Sequence, residues 1–239
     1  MRPKIHAHFA ITADGKISTK NLTPSQFTSP ADKARLGEIR AQHDAILVGR
    51  GTVSTDTMSM RITNKKLREA RTARGLSPEP LRVVISNSGK INPSWKVFEQ
   101  PGPPVVILST TRLPQKLRAT LAPLCDLHLF ESPSVPLHAA LAMLRSEYGV
   151  KSLVCEGGGG LLGTLAAAGF LDEIHLTVAP ILFGGAGAPT LTGFPSHFLP
   201  NPLEFRILKM QKMGDECLLH LKRKRIRGKF DSPRNKPLV

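Results

Sequence analysis

Glu156 closes the apolar run Leu153-Val154-Cys155 and stands directly before four glycines, Gly157-Gly158-Gly159-Gly160. A carboxylate at the end of a buried strand adds little to stability and is well placed for proton chemistry. Consecutive glycines let the backbone approach a ligand closely. Where a helix follows, its first N–H groups and its dipole favour a phosphate. The stretch therefore predicts an anionic ligand held beside an acid–base group. A second glycine pair, Gly49-Arg50-Gly51-Thr52, follows the apolar run Ala45-Ile46-Leu47-Val48 and reads as a second turn after a buried strand. Two such turns at the carboxyl ends of strands line one edge of a parallel sheet, where ligands bind in open α/β folds. Other chemistries lack their residues. His6 and His8 share a strand face but have no Cys or carboxylate cluster near them in sequence to complete a metal site, and no G-x-S-x-G elbow occurs. The stretch Gly157 to Gly163 contains G-x-G-x-x-G, but a poly-glycine run matches that pattern cheaply, and it lies too late in the chain for a first-strand dinucleotide fingerprint.

These residues need a frame, and hydrophobic periodicity supplies one. Lys4 to Thr12 alternates as a strand with Ile5, Ala7, Phe9 and Ile11 on one face, followed by the turn Ala13-Asp14-Gly15-Lys16 and a polar loop to Gln26. Ser29 as N-cap and Pro30 as first helical residue open a helix through Leu36, Ile39 and Arg40, closed at His43-Asp44. Ala45 to Val48 reads as a buried strand and the basic stretch 63–80 as a surface excursion. Further strands are expected at 81–86, 104–109, 127–130 and 171–178, and helices at 111–121, 137–148 and 164–170. Phe205 to Met213 and Glu216 to Leu221 flank Gly214-Asp215 as a hairpin. The pattern predicts a three-layer α/β/α fold, a mainly parallel sheet ending in an antiparallel hairpin. Residues 1–223 form one domain and 224–239 a basic tail expected to be disordered.

The 239 residues carry a formal net charge of +15. Eight cations against Asp231 alone fall in 222–236. The body remains basic, which fits either a phosphorylated ligand or nucleic acid. One Trp and one Tyr offer few platforms for base stacking, which weakens the second reading. Cys125, Cys155 and Cys217 form no CxxC pair and suit a reduced, cytoplasmic protein. No apolar run is long enough to span a bilayer, and Arg2, Lys4 and His6 interrupt any N-terminal signal.

Several blocks together resemble the reductases of riboflavin biosynthesis, the C-terminal half of the bifunctional deaminase-reductases and their stand-alone relatives. They are Asp14-Gly15-Lys16, Thr28-Ser29-Pro30, Ile39-Arg40-Ala41, Val48-Gly49-x-Gly51-Thr52-Val53, Glu156-Gly157-Gly158, Ala168 to Glu173 and Ala179 to Gly185, and they run from about Pro3 to Leu221. The resemblance implies a dihydrofolate-reductase-like fold, homodimers, NADPH as hydride donor, and reduction of the ribose of a pyrimidine ribosylamine 5′-phosphate to a ribityl chain. It implies Glu156 and Lys16 at the reacting sugar. Thr52, Asp56, Asn87 and the run Gly158, Gly159, Gly160, Leu161, Leu162, Gly163 and Thr164 fall to the cofactor. Ser25, Arg40, Met60, Arg61 and Glu156 fall to the substrate, with Arg40 able to clamp a phosphate. The hydroxyls and arginine of Ser109-Thr110-Thr111-Arg112, read as a helix start, suit the 2′-phosphate of NADPH. Val in place of Gly158 or Gly159 is expected to block the cofactor while the fold survives.

The chain departs from the family after Thr52-Val53, where it reads Asp56-Thr57-Met58-Ser59-Met60-Arg61-Ile62-Thr63. The family's proline is absent, Met60 replaces Leu, and the arginine stands at Arg61, two positions early. Two alternatives stay open: a related reductase of another pterin-like substrate, and a basic nucleic-acid-binding protein. The H-x-E and P-C-x-x-C motifs of a zinc deaminase are absent, so deamination is expected of another protein.

Overall fold

The computed structural model describes residues 1–19, 27–56, 58–99, 101–193 and 199–224. Among these, nine strands form one sheet: β1 Lys4–Thr12, β2 Ala45–Gly49, β3 Leu81–Ser86, β4 Val105–Thr110, β5 Cys125–Phe130, β6 Ser152–Gly157, β7 Glu173–Ala179, β8 Phe205–Met213 and β9 Glu216–Arg223. Their order is β5-β4-β3-β2-β6-β1-β7-β9-β8. The strands from β5 across to β7 run parallel, and β9 and β8 join antiparallel as the expected hairpin.

Side-chain alternation along the central strands divides the core in two. Ala45 and Leu47 of β2 with Val83 and Ile85 of β3 pack against Leu141 and Leu144 of α5 (Leu137–Ser146) and Leu162 and Leu165 of α6 (Gly159–Ala167). The intervening Ile46, Val48 and Val84 pack against Ile39 of α1 (Pro30–Gln42), Val53 of α2 (Arg50–Asp56) and Leu121 of α4 (Gln115–Leu121). Helices therefore cover both faces, giving the three layers, and each fully buried Leu or Ile contributes about 1.5–3 kcal/mol.

Three elements depart from the sequence-based expectation. The basic stretch 63–80 is no simple excursion: it holds α3 (Lys65–Ala73), capped by the Asn64 side chain, and buries both Arg71 and Glu79. Propensity was masked there by a face of cations that proves to be partly internal. Gly49-Arg50-Gly51-Thr52 is not a turn, because β2 runs straight into α2. The helix after the glycines begins at Gly159 rather than Thr164, since Gly159 and Gly160 form its first turn. Glycine's poor helix propensity is tolerated at a first turn, where packing decides.

The N-terminus of α1 is as expected. The Ser29 hydroxyl accepts from Asp32 N at 3.2 Å, with Pro30 at the first helical position. Its surroundings were not foreseen. Ser29 N and Oγ donate to the Glu216 carboxylate at 2.7 and 2.6 Å, tying the helix to the β8–β9 turn.

Candidate active site

The sheet order sets β2, β6 and β1 side by side, so Thr52, Glu156 and the Asp14–Lys16 turn meet at one edge. Between β2 and β6 the register slips: Leu47 pairs with Cys155, but Val48 pairs with Gly157. Glu156 is the extra residue of this bulge. Bulges are rare between parallel strands and re-aim a side chain where they occur.

The Glu156 carboxylate meets Arg40 of α1 in a bidentate pair, Nε to Oε1 at 2.8 Å and Nη2 to Oε2 at 2.6 Å. The two side chains are only 2% and 11% exposed. Arg40 Nη1 donates to the Arg61 carbonyl at 2.6 Å. Burial alone would lower the guanidinium pKa, but the charge and hydrogen bonds of Glu156 outweigh it and hold Arg40 above its ordinary range. Arg40 is therefore the partner of Glu156, a contact that its expected place at the substrate did not include.

The glycines divide by what surrounds them. A Cβ at Gly157 would lie 2.3 Å from Thr52 Cγ2, so α2 crosses β6 where only glycine fits, and the two glycine motifs are two sides of one contact. Gly158 has φ +86° as the residue before α6. Gly159 and Gly163 abut a strap formed by 181–193: a Cβ at Gly159 would come within 2.7 Å of Thr190 O and Gly193 N, and one at Gly163 within 2.4 Å of Thr192 O. Enlarging Gly159 would thus disturb the fold, contrary to expectation. Among the described residues, nothing lies within 4 Å of a Cβ at Gly160 or Gly51. An α6 N-terminus packed on one flank and open on the other fits an anionic group, and the first-turn N–H groups precede the first intrahelical bond, Leu162 N to Gly158 O. Leu162 is buried in the core, Leu161 packs partly against it, and the Thr164 hydroxyl donates to Gly160 O at 2.8 Å.

The same strap fixes Lys16. Lys16 N donates to Thr12 Oγ1 at 2.9 Å, Thr12 N to Lys16 O at 2.9 Å, and Lys16 bridges Thr190. Asp14 accepts from Phe183 N and Gly184 N at 3.2 and 2.7 Å, so the Asp-Gly-Lys turn is an anchor for the strap as well as a carrier of Lys16.

The remaining expected residues vary. Asn87 follows β3 at the correct edge, but its Oδ1 accepts from Val135 N at 2.9 Å and holds the segment before α5. Ser109 and Thr110 are buried in β4, where their hydroxyls donate to Ser86 O and Asn87 O at 2.8 and 3.0 Å. Helix α4 starts only at Gln115, so Arg112 is not at a helix N-terminus, although it is exposed. Met60 is buried with φ +54°, a strained setting for a non-glycine residue. Asp56 ends α2. Ser25 and the tail 225–239 lie outside the described residues, and Lys224 still pairs through its N–H with Glu204 O at 2.8 Å.

Sequence reasoning missed the histidines. His6 lies 4.5 Å from His43 and 5.7 Å from His175 between ring centroids, and His175 lies 4.2 Å from His220. Among the described residues none of this forms a metal-holding group. It also missed Glu79, which has no periodicity to reveal it.

The sequence model described as "RibD C-terminal domain" matches residues 3–219. The chain is 31% identical over 215 residues to a 2,5-diamino-6-ribosylamino-4(3H)-pyrimidinone 5′-phosphate reductase of Archaeoglobus fulgidus, covering 90% of this chain and 95% of the relative. A protein of the same name from Methanothermobacter thermautotrophicus is 30% identical over 220 residues, covering 92% and 97%. In fold, the chain is similar to a crystal structure of a pyrimidine reductase-like protein from Corynebacterium diphtheriae, with a TM-score of 0.81 and 18% identity, covering 94% of this chain and 93% of that one.

Proposed function

The chain belongs to the RibD C-terminal domain family, and from that premise we propose that it reduces the ribosyl group of an aminopyrimidine ribosylamine 5′-phosphate to the ribityl form in riboflavin biosynthesis, with NADPH as reductant. The observation that carries this reading is the bulged Glu156, held by Arg40 in a bidentate pair and set beside the open flank of α6. The diamino pyrimidine named for the two full-length relatives is taken as the substrate, reduced before deamination.

NADPH, when bound, supplies the hydride that the anomeric carbon accepts. Thr52, Asp56, Asn87 and the backbone from Gly158 to Thr164 are the residues that would hold it, with Arg112 as the exposed cation at the β4 edge for its 2′-phosphate. Arg40 occupies two of the four acceptor directions of the Glu156 carboxylate. The other two can accept from a sugar hydroxyl or the glycosylic N–H, so Glu156 steadies the positive charge that develops at the anomeric carbon. Lys16, an ammonium on a strapped turn, can donate the proton that the ring oxygen needs on opening. Ser25, Met60 and Arg61 complete the substrate side. Three features support a cytoplasmic homodimer: free cysteines, no helix long and apolar enough to cross a membrane among the described residues, and exposed Ile207, Leu208 and Met210 on edge strand β8.

The test is NADPH oxidation, followed by absorbance, with the diamino substrate and its deaminated counterpart supplied separately. Oxidation dependent on either establishes the reaction, and faster turnover of the diamino compound is expected. No oxidation with either sinks the reading.

A further inference from the structure

Glu79 is a carboxylate with no role in the site described so far, yet its side chain is only 5% exposed. It stands between Pro78 and Pro80, where the chain passes from α3 into β3, and a Cβ on Gly102 would touch its Cβ at 3.2 Å. Oε2 accepts from Ile62 N at 2.8 Å, and Oε1 lies 3.7 Å from Arg61 Nε. Glu79 thus grips the 58–63 segment by backbone and by side chain. That segment holds Met60 at φ +54° and presents the Arg61 carbonyl to Arg40. A guanidinium is a rigid fork, so fixing one nitrogen fixes the direction of the others.

We propose that Glu79 is a positioning residue for Glu156: it holds the Arg61–Ile62 peptide, the Arg61 carbonyl holds Arg40 Nη1, and Arg40 in turn aims the Glu156 carboxylate. The inference rests on the reductase reading for its kinetic arm. It also says why a carboxylate stays buried amid Arg40, Arg61 and Arg82: charge and geometry act together, since one oxygen takes the N–H and the other faces the cation.

Three variants separate the parts. Glu79→Gln keeps the length and the acceptor for Ile62 N. Glu79→Asp keeps the charge but withdraws the carboxylate by one methylene, and Glu79→Ala removes both. The expected result is a kcat at least tenfold lower for Asp and Ala, recovery to within about threefold of wild type for Gln, and an unchanged NADPH Kd in all three. Substrate KM should rise in Gln, because Arg61 loses its attraction. Turnover at the wild-type rate in Asp, or a Gln variant as slow as Asp, would overturn the proposal. The Arg40 Nε–H resonance in a proton–nitrogen spectrum gives a readout without turnover. It should be sharp in wild type and Gln and exchange-broadened in Asp. If wild-type protein oxidises no NADPH, the reductase reading fails while this spectrum still decides the positioning, and an Arg40 signal identical in wild type and Asp would refute it.

Discussion

Arg71 on α3 donates from Nη1 to the His43 carbonyl at 2.6 Å, at the C-terminal end of α1, and the same nitrogen reaches Ala41 O at 3.1 Å. With Nε on Ser77 O at 2.8 Å, this 2%-exposed cation serves as the cap of a helix that carries Arg40 one turn earlier. Unpaired carbonyls at a buried helix end cost stability, and a cation there also meets the negative end of the dipole. Arg71→Met is expected to lower unfolding free energy by about 3 kcal/mol, from lost charge-assisted bonds and newly unsatisfied carbonyls. Urea denaturation measures it, and a midpoint equal to wild type would show that water replaces the guanidinium freely.

Gly159 and Gly160 are expected to respond oppositely to the same substitution. A Cβ at Gly160 meets none of the described residues, so Gly160→Val should keep the melting temperature and weaken NADPH binding by at least about thirtyfold, a loss near 2 kcal/mol. Gly159→Val must push the strap aside and should destabilise by about 1–3 kcal/mol. Calorimetric titration alongside thermal melts checks both, and tight NADPH binding by Gly160→Val would remove the α6 N-terminus from the cofactor site.

Glu156→Gln should lower kcat by about 10²-fold while NADPH affinity stays near wild type. It should also lower the melting temperature, because Arg40 is left as a buried cation without its carboxylate. Adding Arg40→Met to that variant is expected to recover stability without recovering turnover. Recovery of turnover would mean that Glu156 matters only for the fold.

Burial holds His6 and His8 at pKa values of about 4 and His175 at about 2, against 6.5 for a free histidine. His43, Glu173, His220 and Asp172 face His6; Glu156, Arg35 and Arg40 face His8; His220, His6, Arg35 and His8 face His175. The folded protein keeps all three neutral where the unfolded chain binds protons. Stability should thus be full above pH 6.5, fall as pH drops towards about 4, and then lose less per unit as His6 and His8 protonate in the fold. Each histidine contributes a slope of up to about 1.4 kcal/mol per pH unit. Unfolding free energies from pH 7 to pH 4 provide the check: His8→Gln should flatten the curve, and an unchanged curve would contradict the assignment of His8.

Ile207 and Met210 are 60% and 68% exposed on edge strand β8. If the protein is a homodimer through this edge, Ile207→Lys with Met210→Lys should shift sedimentation to the monomer and leave the melting transition cooperative. A dimer that survives both lysines would move the interface elsewhere.

The frame was legible because its signals are local. The strand Lys4–Thr12, the Ser29-Pro30 helix start and the Gly214-Asp215 hairpin each follow from neighbours in sequence, and each stands where periodicity puts it. The place of Glu156 at a strand end beside the glycines was legible, but its partner was not, since nothing local joins residue 40 to residue 156. The bulge that aims Glu156 depends on the register of two strands more than a hundred residues apart. Arg71 and Glu79 stayed hidden because charge is the ordinary mark of a solvated face: Arg71 becomes internal where α3 packs against α1, and Glu79 where the 58–63 segment and Gly102 close over it. The glycine run was read as one feature, although its members serve a strand crossing, a positive φ, a strap contact and an open cradle.

β6 is the middle strand of the site, and it comes late in the chain. Its register partners are Lys4 to Ala7 on one side and Ala45 to Val48 on the other. Until Ser152–Gly157 has been synthesised, β1 and β2 have an empty lane between them, each with an unpaired edge. Closing loops of that length costs chain entropy before any pairing repays it. The candidate site edge therefore cannot form before β6 is made, and a nascent chain halted before residue 152 lacks both Glu156 and the α6 N-terminus. A cofactor that binds only the completed sheet favours the folded chain over the unfolded one by mass action, so its addition is expected to raise the yield of refolding as well as the stability of the product.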